Sequence, residues 1–291
     1  MVHLSTKNKL IVSNKRSQIL TGTVLDRLRN GLIVSCQAAP GSPLANRGLM
    51  SYMAEAAEAG GAVAIRAEGL RDIAEIKKVV SIPVVGLIKL KSENTPVIIT
   101  PLLENVYQLL EAGVDLIAVD ATLRKRFDGA LGNDFVAQAK AVGAQVVADI
   151  DNLESAIAAE KSGAVAVFTT LAGYTNGPVP ELPDLDLVKS CSSNCAVPVI
   201  AEGRFNSPEL VSQAFDAGAW SVCVGSAITD PWLSTKRFIK MIYGIHSHGT
   251  GFITNPHTFR IKTFSSIHIS DKAPHFCIHV RPIHQPLLIT R

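Results

Sequence analysis

Five charged side chains sit where a buried apolar run has no need of them. Arg66 lies in AVAIRAEG, Lys89 in VVGLIKLK, Asp120 in LIAVDAT, Asp149 in QVVADI and Glu202 in PVIAEGRF. A lysine emerging from a core strand is partly desolvated, which lowers its pKa, and a neighbouring arginine would lower it further by repulsion. Such an amine can serve as a general base or as a Schiff-base nucleophile. Glu202 offers a carboxyl group for the complementary proton transfer. Asp120 and Asp149 could bind sugar hydroxyls, an amide N–H or the lysine itself, or simply cap loops.

These side chains need strands to hold them. Three further apolar runs, GLIVSCQ from Gly31, AVAVFTTLAGYT from Ala164 and SVCVGSAIT from Ser221, bring the total to eight. Stretches with helical periodicity, such as LMSYMAEAAEAG and SPELVSQAFDAGA, separate them. Strand and helix alternating eight times predict an α/β fold, a single-domain (β/α)8 TIM barrel over residues 30–243. Helices are expected to end on left-handed glycines at Gly60, Gly113, Gly143, Gly163 and Gly218. The Asn206-Ser207-Pro208 run predicts a helix start. Barrel enzymes carry their chemistry at the C-terminal mouth. Strands 3 and 7 of eight are diametrically opposed, so Lys89 and Glu202 would face a substrate from two sides. That arrangement suits inversion at a carbon bearing an acidic proton.

Phosphate recognition is the second expectation. In such barrels the loops after strands 7 and 8 often hold a phosphate. Here they read AEGRF and VGSAIT, in which Gly203 and Gly225 admit close backbone approach, Ser226 adds a hydroxyl and Arg204 adds positive charge.

Composition narrows the classes. The formal net charge of +3 gives no global signal for nucleic acid. No apolar run approaches the roughly 20 residues of a membrane helix. Five cysteines do not make a disulfide scaffold. Cys36 and Cys223 read as small core residues, Cys191 and Cys195 fall in a predicted loop before strand 7, and a cytoplasmic location is expected. Metal-ligand spacings, a Walker loop, a strand-linked GxGxxG and a GxSxG elbow are absent from the barrel, so neither metal nor cofactor is expected. Residues 1–29 form a basic extension in which Ile19, Leu20, Val24, Leu25 and Leu28 have helical spacing, predicting a helix that closes the barrel floor. A targeting role is the alternative for this extension. Residues 244–291 hold seven of the eight histidines and a single acid, Asp271. They read as an appended, poorly ordered tail; His246, His248, His275 and His279 are its candidate metal ligands.

The segments GLIVSCQ, AIRAEG, VVGLIK, IAVDAT, TTLAGYT, VIAEGRFNSP and VGSAITDP, in this order, resemble the N-acetylmannosamine-6-phosphate 2-epimerase family. The resemblance spans about residues 30–243. It implies epimerisation of a sugar phosphate at C2 in amino-sugar catabolism. A homodimer is expected. The resemblance places the catalytic lysine on Lys89 and its partners on Arg66, Asp149 and Glu202. Substrate contacts are expected at Gln37, Asp120, Thr170 and Tyr174, and phosphate contacts at Gly203, Arg204, Gly225 and Ser226. One departure is Leu90-Lys91, where the family more often continues with Arg-Asp. A Schiff-base sugar-phosphate lyase and a non-catalytic sugar-phosphate sensor are the alternatives.

Overall fold

A computed structural model describes residues 23–242, apart from residues 40 and 46. Ile19, Leu20 and the histidines of the tail lie outside the described residues. Eight parallel strands close into a barrel in sequence order. They are β1 (Leu32–Cys36), β2 (Ala64–Glu68), β3 (Val84–Leu87), β4 (Leu116–Asp120), β5 (Val146–Asp149), β6 (Ala166–Phe168), β7 (Val199–Glu202) and β8 (Ser221–Val224). The helices are α1 (Val24–Leu28), α2 (Met50–Ala59), α3 (Leu70–Val79), α4 (Leu103–Glu111), α5 (Gly132–Ala141), α6 (Leu153–Lys161), α7 (Leu185–Asn194), α8 (Pro208–Asp216), α9 (Ser226–Thr229) and α10 (Pro231–Ile242).

Side chains alternate along a strand with a period of two, and that alternation builds two cores from one sheet. Ile33, Ala64, Val85, Leu87, Leu116, Ala118, Val147, Ala166, Phe168, Ile200 and Cys223 fill the barrel interior. The intervening positions, among them Val34, Ile65, Val84, Ile117, Val119, Val146 and Val167, pack beneath the helices. Continuing the inward parity toward the C-terminal ends reaches Arg66, Lys89, Asp120, Asp149, Thr170, Glu202 and Gly225. The interior is therefore apolar below and charged above.

Helix α1, which carries Val24, Leu25 and Leu28 of the predicted helix, closes the floor. Thr23 caps it reciprocally with Asp26. Leu28 is fully buried in the barrel interior, with Val24 and Leu25 packed beside it. The Trp220 indole donates to the Leu25 carbonyl at 2.9 Å and carries the Arg29 guanidinium over its ring. Ser207 caps α8 with Pro208 in the first turn, also as expected.

The structure differs from the sequence reading at several points. Gly60 keeps a right-handed φ of −76°, and the left-handed residue is its neighbour Gly61, at 99°. The other four glycines are left-handed. Cys191 and Cys195 are not in a loop: Cys191 is buried within α7 and Cys195 caps its end. The TTLAGYT run leaves the sheet early, turning into a 3₁₀ helix at Thr169–Leu171. Strand β3 stops at Leu87, and the chain beyond folds back on itself. Lys89 bridges Ile99 in antiparallel sense, flanked by Leu90 N–H to Ile98 O at 3.0 Å and Thr100 N–H to Ile88 O at 2.7 Å.

Candidate active site

Arg66 is the floor of the charged layer. It projects inward from the middle of β2, not from its end, and is 1% exposed. Its Nη1 and Nη2 donate to Asp149 Oδ1 and Oδ2 at 2.9 and 2.7 Å, a bidentate pair with both partners buried. Nη1 also lies 3.2 Å from Glu202 Oε2. Burial opposes the charge on Arg66, but Asp149 and Glu202 more than offset it, and the guanidinium pKa rises. Nε has no hydrogen-bond partner among the described residues. Breaking such a buried pair from one side costs about 3–5 kcal/mol, because the charge left behind stays desolvated.

Glu202 ends β7 with its side chain nearly covered. Burial raises its pKa, and nearby Asp149 adds to the rise, while Arg66 opposes it. Two consecutive threonines fix it. The Thr169 hydroxyl donates to the Glu202 carbonyl at 2.9 Å and accepts from its N–H at 3.0 Å, anchoring the main chain. The Thr170 hydroxyl oxygen lies 2.7 Å from Glu202 Oε2 and 2.6 Å from Asp149 Oδ1. Cys223, in register with Glu202 on β8, is buried beside the carboxyl, and burial pushes its thiol pKa well up.

Lys89 lies two residues past β3, on the folded-back segment. It keeps an exposed face toward the open mouth, yet enough protein surrounds the ammonium for desolvation to pull its pKa down. Repulsion from Arg66 lowers it further, while Glu68, Glu202 and Asp149 pull it back up. Nζ donates to Gln37 Oε1 at 2.6 Å, and Gln37 Nε2 donates to Ser35 Oγ at 2.8 Å. The loop after β1 thus orients the amine.

Two residues that sequence reasoning did not single out hold this segment in place. Arg126, 3% exposed, donates from Nη1 to Asp120 O and from Nη2 to Thr100 O, each at 2.7 Å. The Thr100 hydroxyl donates to Ala118 O at 2.6 Å. Burial pushes the Arg126 pKa down to about 10, and its guanidinium lies over the Phe135 ring. Arg126 belongs to no apolar run, and no local spacing announces a partner 26 positions away.

Asp120 is fully buried, and its carboxylate is already engaged. It accepts from Thr122 N–H and hydroxyl at 3.0 and 2.7 Å and from Arg124 Nη2 at 2.7 Å. Burial raises its pKa against these hydrogen bonds. Arg124, rather than Asp120, is the partly exposed member of the pair.

The expected phosphate loops follow β7 and β8. Gly203 and Arg204 both take positive φ, 109° and 63°. Arg204 donates to Leu182 O at 2.7 Å and Ala172 O at 2.6 Å, and lies over the Tyr174 ring. Gly225 lies against Ser35, and a Cβ there would stand in ordinary contact, 3.4 Å from the serine Cβ. Ser226 opens α9 and accepts from Arg237 Nη2 at 3.1 Å. Arg237 was not legible in sequence, where it is one basic residue of an amphipathic helix.

An amine just past β3 with its pKa lowered and a carboxyl group ending β7 with its pKa raised, at one mouth of a parallel barrel, are equipment suited to acid–base chemistry. Comparison with known proteins narrows the class. The model of a family described as "Putative N-acetylmannosamine-6-phosphate epimerase" matches residues 50–244. A relative from Caldanaerobacter subterraneus subsp. tengcongensis, named "Putative N-acetylmannosamine-6-phosphate 2-epimerase", is 46% identical over 222 residues, covering 75% of this chain and 94% of the relative. One from Clostridium perfringens with the same name is 44% identical over 220 residues, 75% of this chain and all of that protein. The solved structure of the N-acetylmannosamine-6-phosphate 2-epimerase from Clostridium perfringens matches with a TM-score of 0.72 at 43% identity, covering 76% of this chain and 97% of that one. The chain belongs to the N-acetylmannosamine-6-phosphate epimerase family.

Proposed function

We propose that this protein interconverts N-acetylmannosamine 6-phosphate and N-acetylglucosamine 6-phosphate by removing and returning the C2 proton. The observation that carries this reading is Lys89, its pKa lowered, just past β3, with Glu202, its pKa raised, at the end of β7, four strands around the barrel, in a chain of this family.

The sugar ring opens first, because the C2 proton is acidic only beside a C1 aldehyde. Lys89, as the neutral amine, takes that proton, and the electron pair moves onto the aldehyde oxygen as an enolate. The oxyanion needs donors, and Arg66 and its unpartnered Nε–H stand in the same layer. A proton then arrives at C2 from the opposite face, where Glu202 stands, and the configuration is inverted. Glu202 can equally assist ring opening. Asp149 keeps Arg66 charged and in place. Gln37 orients Lys89, and Tyr174 lies against Arg204 beside the opening.

The phosphate is assigned to the backbone N–H groups near Gly203 and Gly225, with Ser226, Arg204 and Arg237 supplying hydroxyl and charge. Binding energy gained there positions C2. Asp120 acts through Arg124, whose side chain reaches the surface. Buried free thiols at Cys36, Cys191 and Cys223 fit a cytoplasmic setting. No helix among the described residues is long and apolar enough to cross a membrane. Light scattering would test whether the protein is a homodimer.

The deciding experiment is NMR of the purified protein with N-acetylmannosamine 6-phosphate in D2O. Conversion to the C2 epimer with deuterium at C2 is expected. An unchanged substrate, or turnover that retains the original C2 hydrogen, would sink the reading.

A further inference from the structure

Thr170 stands at a point where hydrogens can be counted. Its hydroxyl oxygen is within hydrogen-bond distance of two carboxyl oxygens, Asp149 Oδ1 at 2.6 Å and Glu202 Oε2 at 2.7 Å. A hydroxyl has one hydrogen and can satisfy only one acceptor with it. Two ionised carboxylates cannot both press on it at these distances, so one oxygen must bring a hydrogen of its own. Asp149 cannot be the donor without weakening the bidentate pair, since both its oxygens already accept from Arg66. Glu202 has only the longer 3.2 Å contact with the same guanidinium. The geometry points to Thr170 as a positioning residue that sorts the two carboxyls: its hydrogen goes to Asp149, and its lone pair holds a proton carried on Glu202 Oε2.

The surroundings agree. Cys223, the titratable group alongside on β8, is a thiol whose proton burial holds firmly, so it adds no negative charge. Burial likewise favours the neutral form of Glu202, and with the charge of Asp149 it outweighs Arg66 and the Thr170 and Cys223 hydrogen bonds, which favour the carboxylate. Thr170 itself is aimed by the 3₁₀ turn Thr169–Leu171, whose first residue clamps the Glu202 main chain.

Within the proposed epimerisation, on which the kinetic consequence rests, this makes Glu202 an acid in the resting enzyme and Asp149 a standing carboxylate. When Glu202 gives its proton to the substrate, it becomes a carboxylate in a covered site. The Thr170 hydroxyl can then swing its hydrogen from Asp149 to Oε2, replacing the solvation that burial denies. No proton is gained or lost by the threonine in either state.

The test begins with the resting protein and needs no substrate. Infrared difference spectroscopy with 13C-labelled glutamate should show a protonated carboxyl stretch at neutral pH that vanishes in Glu202→Gln. The band should persist in Thr170→Ser and move in Thr170→Val, whose side chain offers no acceptor. In turnover, Thr170→Val should lose about tenfold to a hundredfold in kcat, the size of one hydrogen bond to a charged group, with KM little changed. Thr170→Ser should recover most of that loss. Thr170→Ala serves if the valine variant does not fold. The absence of a protonated glutamate band in the unmodified protein overturns the assignment, as does a band that Thr170→Val leaves unmoved. A raised KM at unchanged kcat would make Thr170 a substrate contact instead. Failure of the D2O assay on the unmodified protein would sink the epimerase reading and leave the infrared result standing.

Discussion

Lys89 is held between opposing influences, and the balance can be shifted from outside the reacting pair. Desolvation and Arg66 lower its pKa, while Glu68, Glu202 and Asp149 raise it. Glu68 is the one of these groups that belongs to none of the clusters described above. Removing its charge in Glu68→Gln should move the Lys89 titration further below the ordinary lysine range. Reductive 13C-methylation followed by NMR would read the midpoint directly; a midpoint that stays or rises would show that Glu68 does not face the amine. At lower pKa a larger share of Lys89 is neutral near pH 7, so the base form gains. Lys89→Ala should remove both epimerisation and C2 deuterium exchange, a loss of at least the ~10²–10⁴-fold typical of a general base. Near-normal turnover in that variant would pass the role of base to Glu202 or Asp149. The lysine and its acidic partners were readable because each interrupts an apolar run. The hydrogen bonds of Thr170, Gln37 and Arg237 were not, since they join residues on different elements and a hydroxyl carries no periodic signal.

The folded-back segment from Ile88 to Thr100 sets the position of Lys89, and it was invisible to periodicity. Its centre, KSENTP, is polar and carries no alternation, whereas its ends merge with the apolar run of β3 and with VIIT. What fixes it is Arg126, reaching from the loop after β4 to the carbonyls of Asp120 and Thr100. Arg126→Met keeps the stem that packs on Phe135 but leaves two buried carbonyls without their donor. A stability loss of about 3 kcal/mol in urea denaturation is expected, in the range for unpairing buried polar groups. Activity per folded molecule should fall as well, because the amine loses its frame. Undiminished kcat in the folded fraction would show that β3 and Gln37 aim Lys89 without this brace. Gly61 in place of Gly60 is a smaller lesson at the same scale. Two adjacent glycines look alike in sequence, and only the backbone decides which takes the left-handed turn.

Across the whole molecule, one alternation explains why so much was legible. A residue two places beyond an inward apolar side chain also points inward, so Ala64 predicts Arg66, Ala118 predicts Asp120, Val147 predicts Asp149 and Ile200 predicts Glu202. Closure of the sheet then brings strands distant in sequence to a common layer, which no single run reveals. The floor is sealed by Leu28, fully buried, and by the hydrogen bond from Trp220 to Leu25, so the N-terminal end of the barrel is built from both sides of the β8–β1 seam. On the other side, α9 and α10 supply the last helical unit, and α10 runs to Ile242. The Clostridium perfringens relative is matched along its full length by 75% of this chain, and the family model matches residues 50–244. Ending the chain after Tyr243 should therefore leave a soluble barrel with unchanged melting temperature and kcat/KM. Dimers of the shortened protein in light scattering would further place the self-association surface on the barrel. Insoluble protein, or a folded barrel with a collapsed kcat, would show that residues beyond 243 complete the fold or the mouth.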